Sequence, residues 1–253
     1  MSAHFLTLRR GVMLLVGSAL LALALFTDHG NMQIEGFFFG ILLGSAPFIL
    51  LHFALAKVFG TLAVGRLWCG WACWFGMVFE LLPYPYSRYR HPDKFSKLRY
   101  LHFALSLGLV LVAIGTGVYG ATGATGYLWF AIGLLAYYVL GIGLAFLLKD
   151  NRAFCKYACP LSVLMKAGSR FALVKVAGIA PNCDSCNVCV ERCPMNIRIP
   201  EYILKGERVL STECTLCSTC ISICPQKALK LSVGLDVGGR EEYDYVPPRF
   251  KRG

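Results

Sequence analysis

The chain has 253 residues, 57% of them hydrophobic and 15% charged, with 25 Lys and Arg against 14 Asp and Glu for a formal charge of +11. With a mean hydropathy of +0.59, this composition excludes an ordinary soluble domain and marks an integral membrane protein. It also excludes nucleic acid as the partner behind the positive charge, because the basic residues flank apolar segments instead of clustering on a soluble face with interleaved aromatics.

Four stretches contain no Asp, Glu, Lys or Arg: 11–27, 36–56, 101–118 and 127–148. About 20 such residues, at ~1.5 Å rise each, cross a bilayer core. Residues 1–148 therefore read as a four-helix transmembrane bundle. Arg9 and Arg10 before an apolar run with Ala22 and Ala24 also suit a signal peptide, but the run continues through Phe26, which favours a span. Pro47, after Gly44 and Ser45, should kink the second helix. All Lys and Arg fall in 1–10, 57–99 and 149–253, whereas the links 28–35 and 119–126 hold only the acids Asp28 and Glu35. The positive-inside rule then puts both termini and the loop 57–99 on the cytoplasmic side of the inner (cytoplasmic) membrane.

Within this part, His52 and His102 lie near the cytoplasmic ends of the second and third stretches. Intramembrane ionisable groups point to quinone binding, proton handling or a haem, with hydrogen bonding inside the bundle as the plain alternative. Glu80 is the one acid in the apolar stretch 67–82. It could shuttle quinone protons, or it could pair with Arg66 or Arg88. Trp68, Trp71, Trp74, Tyr84, Tyr86 and Tyr89 read as an interfacial aromatic belt.

Residues 149–180 form an amphipathic connector, suited to a helix at the membrane surface or packed on the domain that follows. In 181–233, Cys183, Cys186, Cys189 and Cys193 precede Pro194, and Cys214, Cys217, Cys220 and Cys224 precede Pro225. Two C-x2-C-x2-C-x3-C-P runs are the ligand frame of two [4Fe–4S] clusters, the last Cys of each crossing to the other cluster. Cys183, Cys186, Cys189 and Cys224 would hold one, and Cys214, Cys217, Cys220 and Cys193 the other. Zinc needs only paired C-x2-C and fits these runs poorly. Such a domain is too small for a large apolar core and is held by its metals. A short helix is expected near Pro200–Leu204 and a strand through Val209 and Leu210. Residues 234–253 read as a flexible tail, whose Arg249, Lys251 and Arg252 could touch anionic lipid.

Four cysteines remain: Cys69 and Cys73, and Cys155 and Cys159, the latter followed by Pro160. An i, i+4 spacing puts both thiols of a pair on one helix face. Each pair follows the cytoplasmic end of an even-numbered span, so the four stand at one depth and could form a third iron–sulfur centre, a set of redox or packing thiols, or a zinc site.

With four spans, two such pairs at one face and a terminal dicluster motif, the chain resembles the membrane-bound ferredoxin-type family of NapH, MauN and the C-terminal half of NosR. Trp74 stands where the family pattern has proline. The resemblance implies a mainly α integral membrane protein with a C-terminal bacterial two-[4Fe–4S] ferredoxin-like domain. It also implies an electron-transfer subunit linking the quinone pool to a cytoplasmic partner within a larger redox assembly. Two other functions stay open: an electron-supplying factor for metalloenzyme maturation, and a membrane redox sensor. No residue set suggests bond-making catalysis beyond quinone redox.

Overall fold

Apolar runs become helices in a membrane because hydrocarbon leaves backbone amides no partners but their own. In the computed structural model, which describes residues 2–26, 31–85, 93–118 and 123–239, four helices are long and apolar enough to cross a membrane: His4–Phe26, Pro47–Val64, Phe95–Gly115 and Gly123–Leu148. Asp28, Tyr86, Arg88, Tyr89 and the basic residues of the tail lie outside the described residues.

The second apolar stretch differs from the expectation of one kinked helix over 36–56. It is broken in two. Helix Ile34–Leu43 ends at Gly44, which is left-handed with φ 61, Ala46 follows at φ 58, and Pro47 opens the span. A glycine C-cap and a proline in the first helical turn are strong stop and start signals, so together they separate two helices. The membrane-capable helix that Pro47 opens runs on to Val64, so residues 57–64, expected at the start of the loop 57–99, are helical and continuous with it. Its middle, Phe53–Phe59, is π-helical, with Lys57 buried.

Two apolar clusters hold the membrane part together. Met13, Phe75, Phe79, Phe130, Tyr137 and Phe154 join the first and fourth spans to the short helix Trp74–Phe79. Gly141 lets the Phe79 ring approach, since a Cβ there would lie 2.1 Å from its Cζ. Phe39, Ile49, Phe53 and Val110 join helix Ile34–Leu43 to the second and third spans. Glu35, expected in an outer link, is buried at the start of that helix and accepts hydrogen bonds from Tyr137 (2.6 Å) and Ser106 (2.8 Å).

The connector is a helix, Leu161–Ser169, and then a strand. The helix buries Leu161, Ser162 and Met165, so it is packed, not free on a surface. Strand β1 (Val174–Gly178) pairs antiparallel with β2 (Leu229–Val233), in register Val174↔Val233 and Gly178↔Leu229. Residues 209–210 are not a strand. Val209 donates one hydrogen bond to Val176 O at 2.7 Å. A helix spans Ile199–Leu204.

The backbone of the cysteine-rich part repeats as its sequence does. Ser185, Asn187 and Asn196 have positive φ, and so do Leu216, Ser218 and Lys227, each 31 residues on. Non-glycine residues rarely adopt this conformation, so its recurrence at three matched positions marks two copies of one wrapped loop.

Candidate metal centres

In each copy a left-handed residue, Asn187 or Ser218, precedes a short helix, Val188–Glu191 or Thr219–Ile223. This turn directs successive cysteines around one hollow instead of along a line. The fourth cysteine of the second run, Cys224, is extended at φ −63, ψ 115, the conformation that a following proline imposes. Two cavities result. Cys214, Cys217 and Cys220 line one together with Cys193 and Pro194. Cys183, Cys186 and Cys189 line the other together with Cys224 and Pro225. Each cavity thus meets three cysteines of one run and the last of the other.

Backbone amides face these sulfurs: those of Met195 and Ile197 act on Cys193, and that of Leu216 on Cys214. The Ala228 amide donates to Cys224 Sγ at 3.4 Å. Burial, with help from neighbouring sulfurs, pushes the Cys193 thiol up to about 11 and Cys189 and Cys214 to about 12. Such thiols keep their protons until a metal displaces them. Cys186 is exposed, whereas Cys193 and Cys220 are buried, so the Cys183 cavity is the more solvent-facing of the two.

The remaining cysteines do not lie on single helix faces. Cys69 is within helix Leu67–Trp71, but Cys73 stands beyond its end at φ −74, ψ 121. Cys155 is within the π turn Phe154–Ala158, and Cys159 follows it at φ −65, ψ 113. The first cysteine of each pair is therefore helical and the second extended. Pro160 imposes this at Cys159. At Cys73 the same conformation occurs before Trp74, so the missing proline leaves the local backbone unchanged. The pairs come together: Cys73 lies in the field of Cys69 and Cys155, and Cys159 in the field of all three others. Burial first, then the neighbouring sulfurs, raises Cys73 to about 11 and Cys159 further.

Among the described residues no three His, Cys, Asp or Glu side chains close on a single metal ion. A tetrahedral zinc with Zn–S of ~2.3 Å would draw its sulfurs to within about 4 Å of one another. The eight cysteines of 181–233 instead surround two cavities, a donor arrangement that fits a cubane better than one ion.

Buried cations crowd the four-cysteine site. Arg66 lies in the field of Cys69, Cys155 and Cys159, and Lys57 in that of Cys69, Cys73 and Cys159. Arg152 Nη1 reaches Cys155 Sγ at 3.8 Å and Cys69 O at 3.2 Å. Burying charge is costly unless it is compensated. Arg66 and Arg152 have Glu213 and Glu80, and for Lys57 thiolates bound to iron would supply that compensation.

The two cysteine regions touch. Gly70, next to Cys69, packs so closely that a Cβ there would lie 2.4 Å from Thr215 O and 3.5 Å from Cys217 Cα. Trp71 Nε1 donates to Leu216 O at 3.0 Å. Glu213, next to Cys214 and fully buried, pairs with Arg66 (2.5 Å), Lys166 (2.6 Å) and Arg99 (3.0 Å). Burial would raise its pKa, but Arg99, Arg66 and Lys166 overcome this and hold it at about 2. Lys156, next to Cys155, bonds Asp150 at 2.5 Å and also Asn196.

Glu80, expected to shuttle protons or to pair with Arg66 or Arg88, is clamped by Arg152 (2.6 Å) and Arg9 (2.8 Å), with Arg10 at 3.6 Å. Burial opposes its ionisation, yet Arg152 and Arg9 hold the carboxyl at about 2. It is a fixed counter-charge. His102 Nδ1 lies 2.6 Å from Ala158 O, beside Cys159, and its ring stands edge-on to Tyr137. His52 stands edge-on to Trp68 at 5.7 Å. No contact joins the two histidines among the described residues. The belt aromatics among the described residues are all engaged by protein: Trp68 by His52, Trp71 by Leu216 O, Tyr84 by Phe146, and Trp74, which is buried and whose carbonyl accepts from Tyr138 at 3.1 Å.

Sequence reasoning missed Lys57, Arg66, Arg99, Arg152, Glu213 and Gly70 as parts of this site. The signal was adjacency, because Glu213, Gly70 and Lys156 each flank a cysteine. The positive-inside reading had accounted for Arg99 and Arg152 as topology, and Arg66 had entered only as a partner for Glu80.

A family model described as a 4Fe–4S binding domain matches residues 45–90 and 132–176, the two segments that carry the Cys69 and Cys155 pairs. The chain is 30% identical over 196 residues to an uncharacterized protein of Methanocaldococcus jannaschii, covering 70% of this chain and 80% of that one. It is 27% identical over 206 residues to the ferredoxin-type protein NapH of Haemophilus influenzae, covering 75% and 70%. With the methylamine utilization ferredoxin-type protein MauN of Paracoccus denitrificans it shares 29% over 206 residues, covering 69% and 70%. No solved structure matches. Four membrane-capable helices, a 4Fe–4S model on both outlying cysteine pairs and relatives aligned over most of their length agree, and the chain belongs to the ferredoxin-type iron–sulfur family that includes NapH and MauN.

Proposed function

We propose that this protein is a multi-pass electron carrier of the cytoplasmic membrane, with both termini and every cysteine on the cytoplasmic side. It passes electrons between the quinone pool and a soluble redox partner. The proposed ligands are Cys183, Cys186, Cys189 and Cys224 for one [4Fe–4S] cluster, and Cys214, Cys217, Cys220 and Cys193 for a second. Cys69, Cys73, Cys155 and Cys159 hold a third at the membrane edge. Bound clusters supply one-electron exchange at potentials tuned by hydrogen bonds, charge and exposure. The domains are 1–148 for the membrane, 149–180 as connector and 181–233 for the dicluster. Residues 234–239, expected in the flexible tail 234–253, are instead tied back to the protein. Asp236 pairs with Lys175 and Arg208, and the Gly238 and Gly239 amides donate to Arg170 O and Leu210 O, which leaves 240–253 as tail.

One observation carries this reading: the backbone contact of Gly70 with Thr215 and Cys217, which makes the four-cysteine site and the Cys214 cavity neighbours. The order along the molecule is then membrane edge, Cys214 cavity, Cys183 cavity. Exposed Cys186 suits the far cavity to a soluble partner. Glu213 with its three cations fixes the spacing of the first two sites, and buried Cys193 and Cys220 keep water from the second. At the quinone end, His102 stands one residue from Cys159 through Ala158 O. His52 stands against Trp68, beside Cys69. Both are placed to serve a quinone head group or its proton.

Anaerobically purified full-length protein is expected to hold about twelve iron and twelve acid-labile sulfide, and to be reduced rapidly by a quinol. Cys159→Ser lowers the iron to about eight. About eight iron in the unaltered protein, with four titratable thiols, would remove the third centre. Slow, non-saturating reduction by quinol would remove the quinone link. A reporter active only outside the cytoplasm should work near Gly123 and fail after Arg152. The reverse result sinks the orientation.

A further inference from the structure

Buried cations in this protein come with carboxylates. Arg66 and Arg99 meet Glu213, Arg152 and Arg9 meet Glu80, Lys156 meets Asp150, and Lys175 meets Asp236. Lys57 is the exception. It is 6% exposed, it lies inside the span Pro47–Val64, and among the described residues no carboxylate is within ion-pair distance of it. An uncompensated ammonium in a membrane span is expensive, and such groups are functional by default.

What surrounds Lys57 is the four-cysteine site. Its Nζ sits 4.2 Å above the centre of the Trp68 ring, and Trp68 adjoins Cys69. Its electrostatic neighbours are Cys73, Cys69 and Cys159, from both cysteine pairs. The indole face attracts a cation, but a neutral ring cannot balance a full charge. The lysine also sits in the π turn Phe53–Phe59, and π turns recur at functional sites. Thr61 Oγ1 donates to Lys57 O at 3.2 Å and to Val58 O at 2.7 Å, satisfying carbonyls near the end of that turn.

We propose that Lys57 is the counter-cation of the four-cysteine centre, held over Trp68 by the π turn so that its charge stabilises the reduced, more negative form and raises the centre's reduction potential. This rests on the reading that Cys69, Cys73, Cys155 and Cys159 hold one iron–sulfur cluster. Arg66 and Arg152 also lie in the field of these cysteines, but each is paired with a carboxylate, Glu213 and Glu80. Lys57 is therefore the cation whose removal changes the local field most.

The test is an EPR-monitored redox titration of full-length protein, with the four-cysteine signal identified as the one that Cys159→Ser abolishes. Lys57→Met should move that signal's midpoint to a more negative potential and leave both dicluster midpoints where they were. Lys57→Arg should stay close to the unaltered value. A Lys57→Met protein that keeps the signal at the original midpoint overturns the proposal, as does an equal shift of the dicluster. Should Lys57→Met fail to assemble the centre, Lys57→Arg decides: recovery of the signal supports a role for charge, and loss in both variants overturns it in favour of packing. An unaltered protein with no signal that Cys159→Ser can abolish overturns the four-cysteine reading itself, a result distinct from an unshifted midpoint.

Discussion

The two cysteine regions solve the same problem in opposite ways. The dicluster part is coded locally: two short runs, each with left-handed turns at matched positions, wrap their own cavities and exchange one cysteine. Its sulfurs are met by backbone amides and apolar side chains such as Val176, Ile199 and Leu216. The membrane-edge site is coded at a distance. It is made from the ends of two spans, and Lys57, Arg66 and Arg152 surround it. A wrapped loop can stabilise thiolates with dipoles that it already carries. A site built between helices has few free amides, since helices use their own, and needs charged side chains instead.

Removing the charge that joins the regions should break this contrast most severely. Glu213→Gln leaves Arg66 and Arg99 buried without a carboxylate, and breaking a buried ion network in this way costs about 3–5 kcal/mol. Thermal unfolding in detergent should show a large loss of stability, with the two regions melting separately. A single unshifted transition would show that the network is not what joins them.

Next comes the crossover. Cys193→Ser should abolish the cluster signal of the Cys214 group and spare that of the Cys183 group, with iron falling by about four. Loss of the Cys183 signal in its place would mean that each run serves its own cavity.

A gentler change sharpens the comparison at the contact. Gly70→Ala brings a Cβ to 2.4 Å from Thr215 O, so one loop must move, at a cost of about 1–3 kcal/mol. All clusters should remain, while electron exchange between the membrane-edge centre and the dicluster slows in rapid-mixing experiments. Unchanged exchange would remove the contact from the route.

The smallest effect concerns Glu80. Its carboxyl is held at about 2 by Arg152 and Arg9 against burial. A depressed folded pKa contributes stability above the ordinary carboxylate range that is lost as pH falls towards 2. Stability measured from pH 5 downward should fall less steeply in Glu80→Gln than in the unaltered protein, with the dicluster signals unmoved. Parallel acid limbs would show that Glu80 is not part of the response.

The comparison also explains what could be read in advance. Acid- and base-free stretches marked the membrane part because hydrocarbon tolerates little else, though the second was drawn as one helix. Gly44, Ala46 and Pro47 divide it, and Gly44 and Pro47 are local signals whose combined force was read as a kink. The cysteine runs and their 31-residue repeat marked the dicluster because its ligands, turns and prolines are neighbours in sequence. Strand β1 went unread within the connector, since its partner β2 lies beyond both cysteine runs and periodicity in so short a segment is ambiguous.

By itself, then, the sequence determined the membrane character, the repeated eight-cysteine motif and the existence of two further cysteine pairs, all properties of residue type at short spacing. Only the tertiary structure decided that those pairs share one site, that Gly70 brings it against Thr215, that Glu213 collects Arg66, Arg99 and Lys166, and that Lys57 is left facing thiols. Each of these depends on side chains far apart in the chain meeting in a medium of low polarity. There a charge must find its partner, and nothing in its immediate neighbours says which partner that will be.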